Sequence, residues 1–388
     1  MIPRAASTRL LRLASTFPVV AVTGPRQSGK TTLVKQAFPN RPYVSMEDLD
    51  TRERVLSDPR GFLKSYPQGI IIDEVQRVPQ LLSYVQTQVD TDAIAGHFIL
   101  TGSQNLLLTD SINQSLAGRA AYLDLLPMSY VETQQLDASR SLDEVLLRGA
   151  YPKVLSSSVR PNEWFEAYVR SYIERDVRTM SQIADLNVFQ RFLRMMAART
   201  GQLLNLNALS VDLGVAQTTA KAWLSILEAS YITFRLPPYH TNFGKRLVKT
   251  PKLYFHDVGL AAWLLGIQDE ASLNVHPMRG ALFENFIVLQ YLKFCKNTGR
   301  NDGLYFWRDN VGNEVDFLIE RAGVLSAIEI KSGATFNTRW TDALHTWGKH
   351  AVSARRSDSM VISACPNNEW YKGIFLANWQ NACVTLIE

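Results

Sequence analysis

Short apolar, β-branched runs broken by glycine and polar turns mark the first third of the chain. Phe17-Pro-Val-Val-Ala-Val-Thr23, Gly69-Ile-Ile-Ile-Asp73 and His97-Phe-Ile-Leu-Thr101 are runs of this kind. Continuous apolar stretches of such length predict strands buried on both faces, as in a parallel sheet. The period then changes. From about 140 to 200, apolar residues recur at helical spacing: Trp164, Phe165, Tyr168 and Tyr172, then Phe189, Phe192, Leu193 and Met196. We read these aromatics as core rather than as a binding platform. Ala208–Val215 and Gln217–Leu227 predict two helices across a glycine turn, with Ala220, Trp223, Leu224 and Leu227 facing inward. Gln217, Thr218, Thr219 and Lys221 are left on the outward face, a helix-turn-helix pattern. β-type runs follow at Tyr231–Leu236 and Lys252–Phe255. The last part returns to helix (Arg279–Leu292) and strands (Leu304–Arg308, Glu314–Ile319 and Ala327–Lys331).

At 388 residues the chain exceeds one compact core. The elements predict an α/β protein with three parts. Residues 1–135 form a P-loop domain with a parallel sheet, 136–270 a helical and winged helix-turn-helix region, and 271–388 a C-terminal α/β domain. Hydrophobic content of 46% and charged content of 20% are those of a globular protein, not a disordered one. The formal charge of +5 permits a polyanionic partner without demanding one. Cys295, Cys365 and Cys383 make neither a metal pattern nor a disulfide framework, which suits a reducing compartment. Arginines at 4, 9 and 12 precede no long apolar core, and no apolar run approaches the roughly 20 residues of a membrane helix. The expectation is a soluble cytoplasmic protein with no membrane partner.

Two of the buried runs end in phosphate chemistry. The first leads into Gly24-Pro25-Arg26-Gln27-Ser28-Gly29-Lys30-Thr31 and a helical stretch from Thr32. Strand, glycine loop, lysine, hydroxyl and helix in that order make a P-loop. The glycines let backbone N–H groups turn inward around phosphate oxygens at a helix N-terminus. Residues Gly24 to Thr32 are the expected ATP contacts. Lys30 should reach the β- and γ-phosphates and the Thr31 hydroxyl should ligate Mg2+. The second run ends in Asp73-Glu74, where a Walker B pair would put Asp73 on the same Mg2+ through water and Glu74 on the attacking water. The third runs into Gly102-Ser103-Gln104-Asn105. Ser103 or Gln104 is the expected γ-phosphate sensor, with Thr101 behind them; turn chemistry alone also accounts for the cluster. Ser115-Leu-Ala-Gly-Arg119 offers an arginine beyond a glycine. Arg119 is open to three readings: a finger into a neighbour's site, an in-chain sensor, or a surface residue.

These motifs carry a resemblance. Gly24–Thr31, the Ile-Ile-Ile-Asp-Glu strand, the Leu-Thr-Gly-Ser strand end and Leu-Ala-Gly-Arg together resemble the AAA_14 group of AAA+ ATPases. Arg148-Gly-Ala-Tyr-Pro152 and Tyr172-Ile-Glu-Arg-Asp176 resemble the segments that join this ATPase to a DUF4143 C-terminal region. The resemblance covers nearly the whole chain. It implies an ATP-driven conformational machine cycling between ATP and ADP, assembled as a ring, a hexamer or another homo-oligomer.

In the middle region, the basic residues Lys245, Arg246, Lys249 and Lys252 fall in or near the expected wing. DNA-backbone contact is one reading; a structural winged helix packed on the ATPase is the other.

The C-terminal part holds a second chemical signal. Glu284 lies among the core residues of a helix, and Glu314-Val-Asp316 and Ile328-Glu329-Ile-Lys331 fall on neighbouring strands. Alternation points Glu329 and Lys331 to one face, where Asp316 can meet them. Asp316 and Glu329 could hold Mg2+ or Mn2+, with Lys331 orienting a water. A hairpin with one cross-strand ion pair is the plainer alternative. The arrangement resembles the PD-(D/E)XK nuclease fold, with Glu284, Asp316, Glu329 and Lys331 at the matching positions. The form Gly-Asn-Glu-Val-Asp…Ile-Glu-Ile-Lys looks most like archaeal Holliday-junction resolvases, which implies branched DNA.

Three functions fit this reading. One is an ATP-dependent DNA-processing enzyme whose C-terminal domain cuts or grips DNA. Another is an ATP-gated regulatory switch whose winged-helix and nuclease-like domains dock partners. The third is an interaction module holding nucleotide structurally. Glu74 argues against the third, and the four nuclease-like residues tilt the balance from the second to the first.

Overall fold

The computed structural model describes residues 2–103, 116–173, 185–239, 250–350 and 355–385, which fall into two compact units. Gln104, Arg175, Asp176, Lys245, Arg246 and Lys249, singled out above, lie outside the described residues.

The first unit comprises Met1–Met128, Ala229–Tyr231 and Lys296–Gly299. Its sheet holds β1 (Val19–Thr23), β2 (Tyr43–Ser45), β3 (Ile70–Asp73), β4 (Phe98–Thr101) and β5 (Ala120–Asp124) in the order β2-β3-β4-β1-β5. Every neighbouring pair is parallel. The apolar runs behave as their pattern dictates. Val19, Ala21, Ile70, Ile72, Phe98 and Leu100 feed the core on one face, and Val20, Val22, Ile71 and Ile99 the core on the other. Leu10 of α1 (Ser7–Ala14) and Leu33 of α2 (Lys30–Ala37) cover the second face, while Leu82 and Val85 of α3 (Leu81–Thr91) cover the first. Each fully buried Ile or Leu here is worth about 1.5–3 kcal/mol relative to exposure.

This strand order decides what can meet. The strand bearing Asp73 is not beside the P-loop strand; β4 lies between them. Registers Val22↔Thr101 and Ile72↔Leu100 align the carboxyl ends of all three at one edge. Ligands of open parallel sheets bind beyond that edge.

The second unit comprises Ser129–Glu228, Ile232–Cys295 and Arg300–Glu388. Phe189, Phe192, Leu193 and Met196 of α4 (Leu186–Ala197) are buried, as are Trp164, Phe165 and Tyr168. Helices α5 (Leu206–Leu213) and α6 (Gln217–Ala229) form the expected pair. The Asn205 side chain caps α5 by accepting from the Ala208 N–H, and Gly214 closes it at φ 68°. Ala220, Trp223, Leu224 and Leu227 are buried, whereas Gln217, Thr218 and Lys221 are exposed. An antiparallel pair follows, β6 (Thr233–Leu236) with β7 (Lys252–Phe255).

Helix α7 (Arg279–Thr298) precedes a mixed sheet of β8 (Gly303–Arg308), β9 (Glu314–Arg321), β10 (Val324–Lys331), β11 (Arg355–Arg356), β12 (Met360–Ser363), β13 (Glu369–Tyr371) and β14 (Ile374–Asn378). The order is β13-β14-β12-β10-β9-β8, with β11 beside β10. Strand β7 is buried along its length. The Asn285 side-chain amide clamps it to α7, accepting from the Phe255 N–H and donating to the Phe255 carbonyl, each at 2.8 Å. On the same edge, opposite β6, β7 makes isolated bridges with Thr200 and Leu203. Among the described residues no helix is long and apolar enough to cross a membrane.

Candidate functional site

The phosphate loop is built around two glycines. A Cβ on Gly24 would sit 2.2 Å from the Leu125 carbonyl oxygen, and its φ of 145° is one that L side chains rarely adopt. Gly29 takes φ 93° at the N-cap of α2. Ser28 is buried, and its hydroxyl has no hydrogen-bond partner. Arg26 is half-buried; Gln27 and Thr32 are exposed. Lys30 is 6% exposed and folds back, donating to the Gly24 carbonyl at 3.0 Å and the Pro25 carbonyl at 2.8 Å. Burial pulls its ammonium down to about 8, against the opposing attraction of Glu74 and Asp73. A buried ammonium held by two carbonyls rather than a carboxylate is one that a bound anion would stabilise.

Asp73 gathers three hydroxyls. Thr31 Oγ1 donates to Oδ2 at 3.0 Å, Tyr43 Oη to Oδ2 at 2.5 Å, and Thr101 Oγ1 to Oδ1. Burial first, then the Asp73 carboxylate, pushes the Tyr43 phenol up. Thr31 and Asp73 thus offer adjacent hard oxygen donors beside the loop, a donor set that fits Mg2+, which prefers one or two protein oxygens plus phosphate and water. Glu74 stands next along the chain in the left-handed region at φ 55°. Such strain in a non-glycine residue costs on the order of 1–3 kcal/mol and is found where geometry matters to function. Its Oε2 accepts from Gln76 Nε2 at 2.5 Å and from Ser103 Oγ at 3.3 Å.

Sequence reasoning missed two supports of this site. Arg4, read only as an N-terminal charge, is buried and donates to the Ser28 carbonyl at 2.7 Å and the Leu126 carbonyl at 2.8 Å. Tyr43 had no motif to flag it. Thr101 bonds Asp73 directly rather than standing behind Ser103.

The in-chain sensor reading of Arg119 needs correction. Arg119 precedes β5, where its carbonyl accepts from the Val19 N–H at the start of β1. The phosphate loop follows the other end of β1, roughly 16 Å away at ~3.3 Å per residue. The half-exposed Arg119 guanidinium pairs with Asp90 and donates to the Ala117 carbonyl at 3.1 Å.

In the second unit the structure does bring Glu284, Asp316, Glu329 and Lys331 together. Lys331 Nζ lies 2.5 Å from Glu329 Oε1 and 3.4 Å from Asp316 Oδ2. The Ile330 N–H donates to Asp316 Oδ2 at 2.9 Å. A fifth member was not foreseen. Lys252, grouped above with the wing's basic residues, is 2% exposed and points into the cluster. Its Nζ lies 2.8 Å from Glu284 Oε1, 2.6 Å from Glu314 Oε1 and 3.9 Å from Asp316 Oδ1. Tyr254 Oη also donates to Glu284 Oε1, at 2.6 Å. Burial pushes Glu284 up to about 7 and Glu329, beside Asp316, up to about 8. Burial alone would lower Lys252, but Glu284, Tyr254, Asp316 and Glu314 hold it well above the ordinary lysine value.

The two carboxylates of the expected metal pair already share an ammonium partner. Asp316 and Glu329 are both engaged by Lys331, and Asp316 also faces Lys252. Glu329 Oε2, buried without a hydrogen-bond partner, is left open. Among the described residues no group of three or more His, Cys, Asp or Glu is disposed to hold a metal ion. Lys331 is likewise paired with carboxylates. Lys252, buried in the second unit, is withdrawn from any nucleic-acid surface.

A phosphate loop, an Asp-Glu pair across an inserted strand, and polar groups at that strand's tip define an AAA-type P-loop ATPase, a nucleotide-binding protein. A family model described as "AAA domain" matches residues 16–134, and two described as domains of unknown function, DUF8612 and DUF4143, match 139–271 and 279–381. The chain belongs to the family of two mycobacterial proteins, "Uncharacterized protein Rv2008c" of Mycobacterium tuberculosis and "Uncharacterized protein Mb2031c" of Mycobacterium bovis. It is 33% identical to each over 339 residues, 86% of this chain and 74% of each relative. Among solved structures it is similar to "The walker-type atpase paby2304 of pyrococcus abyssi", with TM-score 0.42, 17% identity, and coverage of 67% of this chain and 94% of that one.

Proposed function

We propose that this protein hydrolyses ATP at the Gly24–Thr32 loop and uses the turnover to process DNA gripped by its second unit. The observation that carries the hydrolytic part is the pairing of Glu74 with Ser103 at 3.3 Å, beside an Asp73 already bonded to Thr31. In this reading the buried Lys30 leaves the loop carbonyls for the β- and γ-phosphates. The Ser28 hydroxyl and the loop N–H groups take up phosphate oxygens. Thr31 and Asp73 would hold Mg2+, which when bound neutralises charge on the phosphates. Glu74, fixed by Gln76 and Ser103, polarises the attacking water, and Ser103 senses the γ-phosphate through the same carboxylate. Arg119, on an exposed edge, serves a neighbouring copy in a homo-oligomeric ring.

The DNA part is supported by the exposed Gln217, Thr218 and Lys221 on the second helix of a helix–turn–helix pair. It is supported also by the assembly of Glu284, Asp316, Glu329 and Lys331 on a helix and two strands, as in a nuclease-like fold. An ATP-gated switch whose C-terminal domain docks a partner is the second reading, favoured by the Lys252 ammonium among the carboxylates.

The test is ATP hydrolysis with and without duplex, single-stranded and four-way-junction DNA, following DNA integrity in the same tubes with Mg2+ or Mn2+. Stimulation by one DNA form supports the DNA-processing reading and names its substrate. Turnover indifferent to every DNA, with no cutting, transfers support to the switch. Any cutting that survives Asp316→Ala belongs to a contaminant or another site.

A further inference from the structure

The cluster in the second unit is an alternating chain of charge. Arg308 Nη1 lies 3.0 Å from Glu314 Oε2, Lys252 bridges Glu314 and Glu284, and Lys331 bridges Asp316 and Glu329. Lys252 is the most deeply buried of these cations, at 2% exposure against 34% for Lys331 and 38% for Arg308. It arrives from outside the sheet that carries the carboxylates, on a strand anchored to α7 through Asn285 immediately after Glu284. We propose that Lys252 is the resident cation of this cluster, its ammonium standing among Glu284, Glu314 and Asp316 and neutralising them in place of a metal. The centre is therefore metal-free, a charge-neutralised joint between β7 and the α7–β9–β10 core.

Two physical points carry this. A buried carboxylate group of this density must be neutralised, and an ammonium 2.6 to 2.8 Å from two of its members does so with direct hydrogen bonds. A divalent ion and Lys252 also cannot share the space: a cation held by oxygens at about 2.0–2.6 Å would stand in direct repulsive contact with the ammonium. Metal entry at this cluster thus requires Lys252 to leave, and β7, bridged on one side by Leu203 and paired with β6 on the other, holds it in. The inference is independent of ATP hydrolysis and goes beyond the proposed function: the ATPase reading can fail while it stands, and the reverse.

The experiment is Mn2+ binding to the full chain without nucleotide, followed by the electron-spin-resonance signal of free Mn2+. Four proteins are compared: wild type, Asp316→Asn, Lys252→Met, and Lys252→Met with Asp316→Asn. Any Mn2+ taken up near Thr31 and Asp73 is common to all four and cancels. Wild type and Asp316→Asn are expected to bind alike. Lys252→Met is expected to gain a site about tenfold or more tighter than anything at the wild-type cluster, and the added Asp316→Asn to remove it. Mn2+ binding in wild type that Asp316→Asn abolishes overturns the proposal, as does a folded Lys252→Met chain that gains no site. If Lys252→Met does not fold, the wild-type and Asp316→Asn pair decides alone, since equal binding upholds the metal-free centre and a loss refutes it.

Discussion

The Lys252 ammonium lies 2.8 Å from the Glu284 carboxylate, joining a strand of the middle region to the helix that opens the C-terminal part. Both groups are removed from water, so the pair is worth most when both partners are present and costs most when one is lost. Lys252→Ala is expected to destabilise the protein by about 3–5 kcal/mol in urea denaturation, because the buried Glu284 carboxylate would lose its ammonium partner. The double variant Lys252→Met with Glu284→Gln should recover much of that loss. A double variant no more stable than Lys252→Ala would mean that the pair is not the source of the effect.

Glu74 is held in the left-handed region with its carboxylate bonded to Gln76 and Ser103. Glu74→Gln keeps the side chain's length and removes its basicity. ATP binding should persist within a few-fold while turnover falls by about 10²–10⁴, the range of a general base. Equilibrium nucleotide binding and steady-state hydrolysis, measured on one sample, check this. Unchanged turnover removes Glu74 from the mechanism.

Arg119 stands at the amino edge of the sheet, paired with Asp90. Arg119→Ala is expected to leave ATP binding by the dilute protein unchanged and to lower hydrolysis only at concentrations where the chain self-associates. A rate series against protein concentration separates the cases. An equal fractional loss at every dilution would remove the neighbour-directed role.

Cys295 and Cys383 are buried, and burial pushes the first thiol up to about 11 and the second higher. A raised thiol value means less reactive thiolate at any given pH, so at pH 8 about one Cys295 in a thousand is ionised. Half-buried Cys365 should therefore react first with a disulfide reagent at pH 8, with the other two following only on unfolding. Rapid labelling of all three in the native protein would show that the core of the second unit opens readily.

Much of this protein is determined locally. The phosphate loop is legible because strand, glycines, lysine and hydroxyl are contiguous, and backbone geometry within eight residues forces them around an anion. Asp73-Glu74 is legible because an unbroken apolar run must be a buried strand, so the acids that end it must face an edge. The helix pair at 206–229 shows its inward residues by period alone.

What the sequence leaves open is what depends on strand order and on contacts between distant segments. That β4 lies between β1 and β3, bringing Thr101 to Asp73 and Ser103 to Glu74, is a matter of sheet topology, which no single strand's composition encodes. Arg119 looked like part of the site because it follows the sensor strand. The parallel crossover instead returns it to the far edge. Lys252 looked like a surface charge beside other basic residues, and Glu284, Asp316 and Glu329 looked like metal ligands. The register of β7 against α7 turned the lysine inward among those acids, and an ion pair formed across 32 residues cannot be read from either end. Period and motif placed the groups; only the folded packing of distant strands decided which charges neutralise one another.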